Sequence, residues 1–258
     1  MVDIDILKIL NICNEASDVI MGLYKKPGTK IQNKKDFSPV TEADLASNFI
    51  IEKRLKEYFP DIPVISEESA VPDYSIRKNW DYCWIVDPLD GTREFINQTG
   101  EFTLNIALVQ KHIPVAGFVH IPEQGITYFA IKGKGAYKIK DNIPEFISVS
   151  KYPAPQKTKR ITVSRFHKDI NTSRYLEKIK NKILIETGSS LKILAIAEGL
   201  ADVYPRLAHL YEWDMAAGQI IIEEAGGSLV TLYGKKPLQY NKKNLKLPYF
   251  IASSKKYF

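Results

Sequence analysis

The chain has 258 residues, 45% of them hydrophobic and 26% charged, with 14 glycines, 14 prolines and 2 cysteines; that supplies a sizeable core and excludes a disordered, collagen-like or disulfide-scaffolded chain. A net charge of +6 and a pI near 9.0 favour anionic partners, but the lysines fall in scattered pairs (Lys25-Lys26, Lys34-Lys35, Lys235-Lys236, Lys242-Lys243, Lys255-Lys256) without a recognition motif, which argues against nucleic-acid binding. No stretch reaches transmembrane length and the N-terminus, with Asp3 and Asp5, lacks the apolar core of a signal peptide, so a soluble cytoplasmic protein is expected, with contact to the inner membrane and oligomeric state left open.

Ile6, Leu10, Cys13, Ser17, Ile20 and Tyr24 recur at helical spacing, as do Leu45, Phe49, Ile50 and Leu55, and predict two helices packed on a sheet. Lys25–Pro39 between them is basic, contains Pro27 and Gly28, and reads as a mobile loop. Thr41 followed by Asp44 fits a capping box at the start of the second helix. Ile62–Ile65 then reads as a short strand ending in Ser66-Glu67-Glu68-Ser69, which places carboxylates at a strand end. Tyr82–Val86 is a second apolar, β-prone run that delivers Asp87 to its own end.

The hexapeptide Asp87-Pro88-Leu89-Asp90-Gly91-Thr92 is expected to turn. Pro88 fixes its own φ and lacks an N–H, a geometry that aims the Leu89 carbonyl inward beside Asp87 and Asp90. Two carboxylates and one peptide oxygen are hard ligands of the kind Mg2+ and Ca2+ take, whereas Zn2+ more usually calls for His or Cys. Arg93–Ile96 can open a helix whose first N–H groups, from Gly91 and Thr92, attract a phosphate. The same Asp-Pro and Asp-Gly pairs are also turn formers in solvated loops.

Thr103–Lys140 reads as successive strands broken at Lys111-His112, Pro122–Gly125 and Lys132–Gly135. Lys151–Lys159, with Pro153 and Pro155, reads as a linker. Beyond it, strands over Ile161–Ser164 and Ile183–Glu186 alternate with helices over Arg174–Lys180, Ser190–Glu198 and Met215–Ala225. Two parts follow: residues 1–150, helices over an antiparallel-rich sheet, and residues 151–258, a smaller α/β half. Asp214 precedes the last helix and also fits an N-cap; if it joins the upstream acids, the site straddles the two parts and substrate binds in the crevice between them. Cys13 and Cys83 read as reduced core residues, and His112, His120, His167 and His209 lack ligand spacing. Neither GxGxxG nor GxxxxGK[ST] is present.

Ser38–Asp44, Ser66–Ser69 (SEES), Val86–Thr92 (VDPLDGT) and Trp213–Gly218 (WDMAAG) together resemble, in order and along nearly the whole chain, the inositol monophosphatase superfamily of Mg2+-dependent, Li+-sensitive phosphatases. Asp87–Phe95 (DPLDGTREF), Gly100–Val109 (GEFTLNIALV), Gly188–Leu191 (GSSL) and Ala197–Arg206 (AEGLADVYPR) are most similar to its CysQ-type 3'(2'),5'-bisphosphate nucleotidases. Inositol monophosphatases usually carry Thr-Asn-Phe after the Asp-Gly, so Arg93-Glu94-Phe95 argues against that branch.

The resemblance implies an α+β fold, a layered α-β-α-β-α sandwich. It implies hydrolysis of the 3'-phosphate of adenosine 3',5'-bisphosphate to AMP and phosphate, with action on the sulfated form, in support of sulfur assimilation. It implies two or three Mg2+ ions: one on Glu67, Asp87 and the Leu89 carbonyl, a second on Asp87, Asp90 and Asp214, and a looser third sharing Glu67. Glu67, Thr92 and Asp44 form the implied catalytic set, Thr92 orienting the attacking water and Asp44 accepting the Thr92 hydroxyl as general-base assistance. Leu89, Asp90, Gly91, Thr92 and Asp214 would meet the substrate, and Gly188, Ser190 and Arg206 its second phosphate or sugar, although Ser190 fits a helix N-cap equally well. The alternatives are an inositol or sugar monophosphatase, and an inactive anion-binding interaction module that kept the fold.

Overall fold

The computed structural model describes residues 4–26, 31–33, 39–150, 158–166 and 169–254. Lys34-Lys35, Lys255-Lys256, Ser38, His167 and most of the expected linker, 151–157, lie outside them. Asp5 caps α1 (Ile6–Tyr24), accepting the Leu7 and Lys8 amides at 3.1 and 3.4 Å. The inward stripe of α1 is Ile9, Ile12, Cys13, Ala16 and Ile20. The basic segment expected as a loop contains strand β1 (Ile31–Asn33), paired antiparallel with β2 (Pro39–Thr41). That pairing is set from downstream, because Thr41 is held extended as the cap of the next helix, α2 (Glu42–Tyr58).

Helix α2 starts on the expected capping box: Asp44 Oδ2 accepts the Thr41 amide at 2.8 Å, and Thr41 Oγ1 accepts the Ala43 amide at 3.2 Å. Its buried face only partly matches the apolar spacing, which holds for Leu55 and for half-buried Ile50 but not for Leu45 and Phe49. Leu45 and Phe49 are 49% and 65% exposed, while Ala43, Ser47, Asn48, Ile51 and Leu55 face inward. The inward polar residues satisfy backbone and hydroxyl groups near the candidate site. Ser47 Oγ donates to the Pro88 carbonyl at 2.7 Å, and Asn48 joins Ser66 and Ser69 at 2.5 and 2.9 Å.

The first large sheet is assembled from β3 (Val64–Ser66), β4 (Tyr82–Asp90), β5 (Thr103–Gln110), β6 (Ile113–Ile121), β7 (Ile126–Ile131), β8 (Ala136–Lys140) and β9 (Ile143–Ile147), in that order across the sheet. Only the β3–β4 pair is parallel. Two short helices, α3 (Tyr74–Arg77) and α4 (Thr92–Ile96), precede and follow β4. The remainder is β10 (Lys159–Ser164), α5 (Ile170–Glu177), β11 (Lys182–Thr187), α6 (Leu191–Ala197), β12 (Val203–Arg206), α7 (Glu212–Glu224), β13 (Ser228–Thr231) and β14 (Phe250–Ser253). Helix α5 begins earlier than the predicted Arg174 because Asp169 caps it, accepting the Thr172 amide at 2.8 Å. The second sheet, ordered β11-β10-β12-β14-β13, is mixed: β10 runs parallel to β11 and β12, and β14 antiparallel to β12 and β13.

Three apolar clusters define the layers. One packs α1 and α2 on Trp84, Val86, Ile106 and Phe118 of the first sheet. Another packs α6 and α7 between the opposite face, with Ile85, Val109 and Val119, and the second sheet, with Tyr204, Phe250 and Ala252. The third packs Leu176 of α5 on Ile161, Val203 and Ile251. The fold is therefore α+β, a sandwich of helices, sheet, helices, sheet and helix. Contact between α7 and β6 is close enough to require Gly117, where a Cβ would lie 2.6 Å from the Ala217 carbonyl oxygen.

His120, on β6, is 2% exposed; its Nδ1 lies 2.8 Å from Thr127 Oγ1, and its Nε2 has no hydrogen-bond partner among the described residues. Burial pushes its pKa down from 6.5 to about 4. Between those values the unfolded chain binds a proton that the folded chain excludes, so stability falls as pH drops through the window, by about 3 kcal/mol in all. His120→Gln is expected to flatten the pH dependence of urea unfolding between pH 6.5 and 4; an unchanged slope contradicts this assignment.

Candidate active site

Strand β4 stays extended through Asp90, with a register shift against β5 between Asp87 and Asp90 in place of the free turn expected after Val86. Inside the bulge, the Leu89 amide donates to Asp87 Oδ1 at 3.1 Å. Gly91 then takes φ +93° as the cap of α4, and a Cβ there would sit 3.2 Å from both the Glu101 carbonyl oxygen and Ser189 Cβ. Glu67 is the first residue past β3, and its amide donates to the Val86 carbonyl at 3.2 Å, which sets it beside Asp87. Asp214 is not the N-cap of α7. Tyr211 caps that helix and Asp214 lies in its first turn, its Oδ2 accepting the Tyr211 amide at 2.5 Å.

These elements bring one carboxylate oxygen each from Glu67, Asp87 and Asp214 within 4.8 Å of one another. Asp87 is 1% exposed, and its Oδ2 has no hydrogen-bond partner among the described residues. Burial, then the charges of Glu67, Asp90 and Asp214, push Asp87 well above the usual carboxylate range. Asp214 is pushed up likewise by burial and by Asp90 and Glu67. Ionised together, three such groups repel strongly unless a cation sits among them.

Asp90 borders the same cleft but lies outside that trio. Its Oδ2 accepts the Ser189 and Ser190 hydroxyls at 2.7 and 2.9 Å. Ser190 therefore does not cap α6 with its side chain. Behind the serines, Asn105 Nδ2 donates to Ser190 Oγ at 3.0 Å, and Thr103 Oγ1 lies 2.7 Å from Ser189 Oγ. The Gly188 amide, expected to face substrate, instead donates to Glu101 Oε2 at 3.0 Å. Glu101 also holds Arg165 through two contacts of 2.8 and 2.7 Å.

Leu89, Gly91, Thr92 and Arg206 all line the cleft. Thr92 Oγ1 donates to Asp44 Oδ1 at 3.1 Å, so Asp44 serves at once as the helix-capping acid and as the partner of Thr92. Lys192, Tyr204, His209, Tyr211 and Trp213 also line the cleft. Lys192 was not singled out by sequence, although a lysine within the apolar LKILAIA run is a usable signal. It is 7% exposed, donates to the Ser189 carbonyl at 2.5 Å, and lies 5.8 Å from the centre of the Tyr204 ring. Burial lowers its pKa against the opposing pull of Asp90 and Glu94. His209 and Tyr211 reach the site from the segment leading into α7, and Trp213, in the first turn of that helix, stacks on Tyr211.

A five-layer sandwich with an acid-lined cleft at the end of a sheet strand is the architecture of one class of proteins, and the chain belongs to it: the inositol monophosphatase family, whose profile matches residues 6–256. Within that class it is 39% identical over 236 residues to the 3'(2'),5'-bisphosphate nucleotidase CysQ of Escherichia coli K12, covering 90% of this chain and 92% of the relative. The crystal structure of CysQ from Bacteroides thetaiotaomicron, a bacterial member of the inositol monophosphatase family, superposes with a TM-score of 0.84 at 38% identity over 97% of each chain. A solved IMPase/NADP phosphatase complexed with Mg2+ and phosphate shares the fold, with a TM-score of 0.77 at 22% identity over 96% of this chain and 89% of that one.

Proposed function

We propose that this chain is a Mg2+-dependent 3'(2'),5'-bisphosphate nucleotidase. Its substrate is adenosine 3',5'-bisphosphate, from which it removes the 3'-phosphate to leave AMP, and the sulfated form of that nucleotide is a second substrate of the same reaction, which supports sulfur assimilation. The observation that carries this reading is the carboxylate cluster of Glu67, Asp87 and Asp214 in a chain 38–39% identical to proteins named CysQ. The reaction is assigned to the cytoplasm, in keeping with Cys13 and Cys83 as buried free thiols. Among the described residues no helix is long and apolar enough to cross a membrane.

The residues fit a hard divalent cation. The donors are carboxylate oxygens, and Asp87 Oδ2 is buried with no hydrogen-bond donor among the described residues. Glu67, Asp87, the Leu89 carbonyl, Asp90 and Asp214 would hold two or three Mg2+ ions, which offset the clustered negative charge and acidify an incoming water. The remaining work belongs to the protein. Thr92 Oγ1 donates its hydrogen bond to Asp44 Oδ1, which leaves its lone pairs to accept one from a water aimed in line at the phosphorus; as that water attacks, its proton passes to Thr92 Oγ1 while the Thr92 proton passes to the Asp44 carboxylate. Lys192 and Arg206 supply the cations for the substrate's second phosphate, while Gly188 acts through Glu101 to shape the turn that carries Ser189 and Ser190.

Phosphate release from a panel of adenosine 3',5'-bisphosphate, its sulfated form and inositol 1-phosphate tests the reading. A charged hydrogen bond contributes about 1.5–3 kcal/mol, so losing the second phosphate should lower kcat/KM for the inositol compound by about 100-fold. Comparable turnover of inositol phosphate overturns the substrate assignment, and no release from any compound in Mg2+ leaves the anion-binding module.

A further inference from the structure

A second polar network lines none of the cleft. Arg77, at the end of α3, is 3% exposed, and its guanidinium donates to Asn241 Oδ1 at 2.9 Å, to the Lys242 and Lys243 carbonyls at 2.7 and 3.1 Å, and to the Pro72 carbonyl at 3.1 Å. Asn241 returns a bond from Nδ2 to the Arg77 carbonyl at 2.7 Å. On the other side of the same three-residue segment, Glu212 is fully buried and accepts the Asn241 and Lys242 amides and the Lys242 ammonium. Glu212 is the first residue of α7, the helix whose first turn carries Asp214.

Arg77 closes the segment that begins at Glu67. The strip 241–243 is therefore gripped by Arg77, at the end of the helix that follows the Glu67 loop, and by Glu212, the first residue of the helix holding Asp214. Both charges are also felt at Cys83 on β4, the strand that delivers Asp87: burial raises its thiol pKa most, the Glu212 charge adds, and the Arg77 charge opposes. Buried charges of this kind add little net stability compared with apolar residues of the same shape, whereas their fixed hydrogen-bond directions hold backbone segments in register.

We infer that Arg77, Asn241 and Glu212 are positioning residues that set the separation of Glu67 and Asp214. The inference rests on the metal-site reading above, since the property it controls is the spacing of those two carboxylates. Outer partners of metal ligands typically change affinity by about 10–100-fold when removed.

The test is Mn2+ binding to the metal-free full-length protein, followed by electron paramagnetic resonance without substrate, alongside the thermal midpoint. Asn241→Ala and Glu212→Gln should each weaken Mn2+ binding by about 10-fold or more, and Arg77→Lys, which keeps the charge but loses the fork, by an intermediate amount. Lys138→Met, which breaks the 2.7 Å ion pair with Glu198 elsewhere in the fold, should leave the dissociation constant unchanged. A lowered thermal midpoint with a Mn2+ dissociation constant within twofold of wild type overturns the inference, and so does failure of all three variants to fold, because both assign the network to the scaffold alone. Wild-type protein that binds Mn2+ but does not hydrolyse the bisphosphonucleotide removes the substrate assignment and leaves the clamp; wild-type protein that binds no Mn2+ removes both.

Discussion

Replacing Asp87 by Asn lowers phosphate release by about a thousandfold, some 4 kcal/mol of transition-state stabilisation, and at the same time raises the thermal midpoint of the metal-free protein. Both effects come from one set of contacts. Asp87 is buried among Glu67, Asp90, Asp214 and Asp44, and its Oδ2 lacks a hydrogen bond among the described residues. Its folded pKa is raised above the unfolded value of about 3.9, so the folded metal-free protein holds a proton that the unfolded chain has released. Stability of the metal-free protein therefore declines as pH rises above about 4 toward the raised value. An amide at position 87 carries no charge to bury and removes that decline. With a buried unpaired group costing about 1–3 kcal/mol, the metal-free midpoint near neutral pH should rise by several degrees. Excess Mg2+ should reverse the order, stabilising wild type more than the variant, because only the wild-type cluster keeps its full charge for the ion. Chelation with EDTA should abolish wild-type turnover. A variant that keeps its activity, or a metal-free midpoint that falls, removes Asp87 from the proposed metal site.

Much of this cleft was legible in the residues themselves because its pieces are local. Asp87 to Thr92 form one continuous segment, Glu67 ends a short apolar run, and the pairing of β3 with β4 then puts the two acids side by side. Asp214 was legible as an acid at a helix start but was misplaced by three positions, since Tyr211 gives no side-chain capping signal. What stayed hidden is what tertiary contact decides. Apolar spacing placed Leu55 and Ile50 of α2 correctly but missed its polar inward positions, where Ser47 and Asn48 satisfy the Pro88 carbonyl, Ser66 and Ser69. The serines after Gly188 read as a helix cap or a phosphate loop, yet their hydroxyls go to Asp90, about a hundred residues away in the chain. Buried arginine, asparagine and glutamate at 77, 241 and 212 carry no sequence signal, since only the folded chain brings them together.

Asp44 is where the structural and catalytic readings coincide, and a double-mutant cycle with Thr92 separates them. Asp44 Oδ2 accepts the Thr41 amide at 2.8 Å and the Thr41 hydroxyl at 2.6 Å, while Oδ1 accepts Thr92 Oγ1 at 3.1 Å. Asn at position 44 has one acceptor oxygen for those three donors, so it must fail either the cap or Thr92. Asp44→Asn is expected to cost about 1–2 kcal/mol of stability through the cap and to lower kcat by about 100-fold or more through the lost proton acceptor. Thr92→Val keeps the shape of a half-buried side chain and removes only the hydroxyl, so kcat should fall by a similar factor while the thermal midpoint moves little. If the two residues pass one proton, the double variant loses little more activity than the worse single variant, and the coupling in kcat is nearly as large as the single effects. If Asp44 is only a helix cap, Thr92→Val leaves kcat within about twofold and the two losses in stability simply add. The two readings agree on the fate of α2 and diverge by roughly two orders of magnitude at Thr92, which makes the hydroxyl, rather than the carboxylate, the decisive atom to remove.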